Sequence, residues 1–134
     1  EMVNALMRVK SNIDSGLSQA NQEMGIAALD LPPEWIDNNN EVYRKRRDKV
    51  VSVLNEIGVP AVAPKGALYI WTPIPEGYTS AEFAQKLLDE VDVVVTPGNG
   101  YGPGGEGYIR LSLTIPDDQI DEGLRRLAKL RINA

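Results

Sequence analysis

Cysteine and histidine are both absent from these 134 residues, and together the two absences remove a great deal of chemistry. Without cysteine there are no disulfides and no thiol nucleophiles. Without histidine there is no Ser-His-Asp triad and no supply of the commonest zinc ligand. No metal site and no familiar hydrolytic centre is expected. No apolar run approaches membrane-spanning length, and the opening Glu1-Met2-Val3-Asn4 lacks the basic and apolar regions of a signal peptide. The expectation is a cytoplasmic protein with no membrane partner. Positive charge is also scarce, since 14 Lys and Arg stand against 19 Asp and Glu for a formal charge of -5, which argues against a nucleic-acid partner. What remains, at 43% hydrophobic and 25% charged, is the composition of an ordinary folded domain large enough to bury a core.

Three helical patterns come first. Val3, Leu6, Met7 and Ile13 recur at helical spacing and stop near Ser15-Gly16, and Ser18 is placed to cap a second short helix through Met24, Ala27 and Ala28. Both are thinly apolar, so this opening stretch is expected to lean on something else. Pro33 suits the first turn of a longer helix, in which Tyr43, Val50, Leu54 and Ile57 line one face before Gly58 and Pro60 end it. The opposite face carries the basic run Arg44 to Lys49, read as solvated.

After Pro64 the period changes. "ALYIWTPI" alternates as a strand, with Ala67, Tyr69 and Trp71 on one face and Leu68, Ile70 and Thr72 on the other. Thr79 and Glu82 form a capping-box pair ahead of a helix buried through Phe83, Leu87 and Val91. Val93 to Thr96 reads as a strand covered on both faces. A last helix from near Asp117 packs by Ile120, Leu124, Leu127 and Leu130, with Arg125, Arg126, Lys129 and Arg131 placed late as its dipole prefers. The expected fold is an α/β (α+β) sandwich, a mixed sheet with helices packed on it and further helices ahead of it.

Between the last two strands lies "GNGYGPGGEG", and in "YIRLSL" after it the alternation puts Ile109, Leu111 and Leu113 in the core and leaves Tyr108, Arg110 and Ser112 on the other face. Arg110 therefore points either to water or into a cleft where its fork of donors holds an anion. Gly100, Gly102 and Gly105 match the G-x-G-x-x-G spacing. The dinucleotide reading is rejected, because that motif aims a helix N-terminus at pyrophosphate and a strand follows here.

The run "VVVTPGNGYGPGGEGYIRLSLT" resembles the carboxy-terminal signature of the class I/II, fold-type I aminotransferases that use pyridoxal 5'-phosphate. "PKGALYIWTPIP", "YRKRRDKVVSVLNEIG" and "KSNIDSGLSQANQEMGIAAL" are similar, in family order, to its Pro-x-Gly-x-aromatic strand, its long linking helix and the segment after its catalytic lysine. The wording is nearest the LL-diaminopimelate and aspartate aminotransferase-like branch. The resemblance implies that residues 1–32 belong to or flank the large domain and that residues 33–134 are the small, C-terminal domain. It also implies that Arg110 binds the α-carboxylate of an amino-acid or 2-oxo-acid substrate, that Tyr101 lies near the substrate entrance, and that the parent enzyme is a homodimer.

Pyridoxal-phosphate chemistry needs a lysine for the Schiff base. Lys10, Lys45, Lys49, Lys65, Lys86 and Lys129 all lack the Ser-Lys context of the family. No residue of this chain is therefore assigned a catalytic or cofactor-binding role, and the chain is read as a truncated fragment, inactive alone, whose cofactor and remaining partners come from the rest of the parent chain. Two other classes stay open at this point: a free-standing amino-acid-binding regulatory module using the same arginine, and a nucleic-acid adaptor built on Arg44 to Lys49.

Overall fold

The computed structural model describes residues 1–130 and 132. Its contacts divide the chain into two compact units, Glu1–Asn38 and Asn39–Ala134. The first unit holds helices α1 (Met2–Ile13) and α2 (Gln19–Leu29) and the opening of α3 (Pro33–Glu56). Ser18 caps α2 as its sequence suggests, its hydroxyl accepting from the Asn21 amide at 3.3 Å. No residue of this unit is buried, and Met2 and Leu29 are 86% and 88% exposed. Short helices with no packed face draw little stability from propensity alone.

The second unit has a core. Val50 and Leu54 of α3 are buried, and Gly58, at φ 87°, turns the chain out of the helix in a conformation that disfavours a side chain. The sheet follows, with strands β1 (Tyr69–Pro73), β2 (Thr96–Pro97) and β3 (Tyr108–Ser112), and helix α4 (Ser80–Val91) lies between β1 and β2 in sequence. The capping box is present, Glu82 accepting from the Thr79 amide at 2.8 Å and the Thr79 hydroxyl accepting from the Glu82 amide at 3.3 Å. Helix α5 (Asp117–Leu127) closes the fold. Ile70, Ile109, Phe83, Leu87, Leu54, Leu124 and Leu127 join one continuous core. Fully burying any one of these large side chains is worth about 1.5 to 3 kcal/mol.

Four expectations are corrected. The sheet is not mixed: β3 lies between β1 and β2 and pairs antiparallel with both. The crossover through α4 leaves β1 and β2 parallel, and β3 separates them. Second, Val93 to Thr96 is not a doubly covered strand, since β2 is only Thr96–Pro97 and Val94 is 81% exposed. The buried residues of all the helices in this unit join the sheet in a single cluster, and such a two-layer arrangement covers only one sheet face. Third, Ala67 does not extend β1. It sits at φ 74°, which breaks the alternation before Tyr69. Fourth, the run Arg44 to Lys49 is not a simple solvated face. Arg46 donates to the Leu113 carbonyl at 2.9 Å and to Asp117 at 2.6 Å, and Arg47 donates to the Pro64 carbonyl at 3.1 Å. Every cation of the run pairs with a carboxylate of the chain itself, so little positive charge is left for a phosphate backbone. Leu130 is buried as expected but lies past the end of α5. Arg131 lies outside the described residues.

Candidate functional site

Antiparallel pairing decides what surrounds Arg110. The register sets Trp71 of β1 and Thr96 of β2 on either side of it, and residues directly opposite on neighbouring strands project from the same face. Tyr69, Trp71, Tyr108, Arg110 and Thr96 therefore share the face away from the core. On the core face Ile70, Thr72 and Ile109 are completely buried. Arg110 is half-buried, with its guanidinium carbon 4.2 Å from the centre of the Tyr69 ring and 4.7 Å from that of Tyr101. Trp71 stacks on Tyr108 at 5.6 Å and meets Tyr101 edge-on at 5.7 Å. Among the described residues no carboxylate pairs with Arg110, and its guanidinium hydrogens meet no partner among them.

The glycine loop brings Tyr101 to this face. It consists of two 3-10 turns, Gly98–Tyr101 and Pro103–Gly105. Gly98 and Gly105 lie back to back, and a Cβ on either would collide with the other's carbonyl oxygen. The close approach is thus between two parts of the loop's own backbone. Beyond the turns the chain enters β3 rather than a helix, as the rejection of the dinucleotide motif requires.

The far end of the loop is tied to α4. Glu106 accepts from the Ser80 amide at 2.7 Å, and the buried Ser80 hydroxyl accepts from the amides of Gly107 at 2.9 Å and Tyr108 at 3.2 Å. The Ser80 amide, more than any other influence, holds the Glu106 carboxyl below the usual carboxylate range. Two residues later, at Tyr108, β3 begins, so this junction helps set where the strand carrying Arg110 starts.

Both residues singled out from the sequence, Arg110 and Tyr101, come together. Tyr69, Trp71 and Tyr108 were not singled out, although their alternation was already visible. Only the strand register shows that they flank the arginine. The lysines lie elsewhere: Lys10, Lys45, Lys49 and Lys86 are ion-paired on helices, while Lys65 and Lys129 are exposed outside the strands.

The chain's relatives are aminotransferases. The profile of the family described as aminotransferase class I and II matches residues 1–127, and the chain belongs to that family. It is 56% identical over its whole length to an LL-diaminopimelate aminotransferase of Dehalococcoides mccartyi, covering 34% of that protein. To the LL-diaminopimelate aminotransferase of Aquifex aeolicus it is 44% identical over 132 residues, again covering 34% of the relative. Among solved structures, an aminotransferase from Staphylococcus aureus superposes with a TM-score of 0.82 at 33% identity, over 96% of this chain and 34% of that one. A probable N-succinyldiaminopimelate aminotransferase from Thermus thermophilus gives a TM-score of 0.82 at 31% identity, over 95% of this chain and 34% of that one. The chain spans about a third of the length of the curated relatives it matches.

Proposed function

We propose that this chain is the carboxy-terminal part of a pyridoxal-phosphate-dependent aminotransferase and supplies the arginine that grips the substrate's α-carboxylate. The observation that carries the reading is Arg110 itself, a half-buried guanidinium on the open sheet face with no acid to neutralise it among the described residues. Two parallel N–H···O bonds from its edge fix a carboxylate in one plane. A substrate held at two points cannot swivel, so its α-carbon presents the same bond to the catalytic group in every encounter. The lysine, the cofactor and the residues that read the substrate side chain come, in this reading, from the rest of a longer, dimeric chain. The exposed apolar residues of Glu1–Asn38 support it, because faces of that kind need a covering partner. The relatives' shared activity makes LL-diaminopimelate the first amino donor to try, with a 2-oxo acid as acceptor.

The test is Arg110→Ala in the full-length enzyme. Hydrogen bonds to charged groups are worth about 1.5 to 3 kcal/mol, so losing the grip is expected to raise KM for donor and acceptor roughly a hundredfold. Cofactor absorbance should stay intact. Unchanged kinetics would remove the assignment. The 134-residue chain alone, mixed with pyridoxal phosphate, should give no amino-acid-dependent turnover. Saturable amino-acid binding to it in calorimetry would point to a regulatory module instead.

A further inference from the structure

We propose that Tyr69 is a positioning residue for Arg110, its ring closing one face of the guanidinium while Tyr101 closes the other, so that only the N–H edge is left for a carboxylate. The proposal rests on the reading of Arg110 as the carboxylate-binding arginine. Tyr69 pairs with Ser112 while Trp71 pairs with Arg110, so Tyr69 stands diagonally across from the arginine, within reach of a long side chain. Its ring centre lies 4.2 Å from the guanidinium carbon, and that of Tyr101 lies at 4.7 Å. Both distances are well inside the range in which a ring's negative face attracts a cation. Tyr101 is braced in turn, edge-on, by Trp71.

The geometry divides the labour. A planar guanidinium binds aromatic rings through its faces and a carboxylate through its edge, so the two contacts do not compete. An arginine on an open sheet would otherwise sample many rotamers, and each ligand would have to freeze one of them. Two rings impose that order before the ligand arrives, which strengthens binding without adding a contact to it. Because the rings act on the arginine and not on the reacting atoms, the effect belongs in substrate affinity and not in the chemical step.

Steady-state kinetics on the full-length enzyme and NMR of the 134-residue chain together test the proposal. Tyr69→Phe keeps the ring and is expected to leave KM within about twofold of wild type, whereas Tyr69→Leu raises KM for donor and acceptor about five- to tenfold with kcat nearly unchanged. In the NMR spectrum, the Arg110 Nε–Hε resonance should be shifted upfield by the rings in wild type and Tyr69→Phe, and move downfield in Tyr69→Leu. Should Tyr69→Leu fail to fold, Tyr101→Leu carries the same expectation from the other, more exposed ring. A folded leucine variant with wild-type KM and an unmoved resonance overturns the proposal. So does a phenylalanine variant as impaired as the leucine one, since the hydroxyl would then be the active part. If Arg110→Ala itself leaves KM unchanged, the carboxylate reading falls while the NMR comparison still decides whether Tyr69 orders the arginine.

Discussion

Two arginines of this chain meet the same sheet in opposite ways. Arg46, on α3, lies 5.4 Å from the Tyr43 ring centre and spends its hydrogens inside the protein, on the Leu113 carbonyl and Asp117. Its side chain is 15% exposed. Arg110, on β3, lies against two tyrosine rings, and among the described residues its hydrogens meet no carboxylate. Each guanidinium is partly withdrawn from water against an aromatic ring, so burial and ring contact do not distinguish them. The edge does. When the edge is bonded within the chain, the arginine joins two elements of the fold. When the edge is left over, its hydrogens stay available to water or to an anion from outside.

The strongest way to break this contrast is to delete each arginine in turn and measure both quantities. Arg46→Ala should lower unfolding free energy by about 2 kcal/mol, chiefly through the orphaned Leu113 carbonyl, since the exposed Asp117 contributes little. It should leave substrate KM in the full-length enzyme near wild type. Arg110→Ala should do the reverse, with stability nearly unchanged and KM raised roughly a hundredfold. Chemical denaturation and steady-state kinetics on the same two variants suffice. If both lose stability and neither loses affinity, the two arginines have the same job and the contrast is void.

Next in size is the loop that delivers Tyr101. Gly98→Ala places a methyl group against backbone oxygens of Gly105 and Tyr108, and backbone cannot retreat as a flexible side-chain tip can. Overpacking of this kind costs about 1 to 3 kcal/mol. The expected signature is a thermal shift together with loss of the Tyr101 contribution to the Arg110 resonance. Gly104→Ala, which meets open space, is the control and should change neither. A Gly98→Ala protein with both properties intact would show that the two turns do not depend on that close approach.

Much of this arrangement could be read in the residues themselves, because it follows from local rules. The capping box at Thr79 and Glu82, the Ser18 cap, the core stripe of α4 and the alternation of β3 depend on neighbours within a few positions. What escaped was decided at long range. That β3 runs between β1 and β2, that Arg46 reaches the end of β3, and that Tyr69 and Tyr101 flank Arg110 all depend on which segments meet, and no periodicity encodes it. Val94 misled for the same reason. A β-branched run suits a covered strand, but only tertiary structure supplies the cover, and here one face of the sheet stays open. Arg110 could be chosen from its strand. The aromatic residues packed against it could not.

The smallest expected effect concerns the junction that leads into Arg110's strand, and acid is the way to probe it. The Ser80 amide, first among its influences, and the Gly107 amide lower the affinity of Glu106 for a proton, against the opposing effects of burial and of the neighbouring Glu82 charge. A carboxylate that titrates lower in the folded protein than in the unfolded chain contributes stability that is fully present above its unfolded value, about 4.3, and disappears as pH falls through the lower folded value. Protection of the Ser80 and Gly107 amides from hydrogen exchange, corrected for intrinsic rates, should therefore weaken as pH falls below the unfolded value and through the lower folded one. Glu106→Gln should already be weaker near neutrality and converge with wild type in acid. Some decline should survive in the variant, because Glu82 is lowered in the same sense, mainly by the Thr79 amide. The bonds of Arg46 to the Leu113 carbonyl and of Arg47 to the Pro64 carbonyl involve no carboxylate and should hold at pH values where the junction has begun to loosen. Equal acid sensitivity at both places would mean that the loop end and the α3 contacts open as one unit, and that the sheet face carrying Arg110 is no more adjustable than the core beneath it.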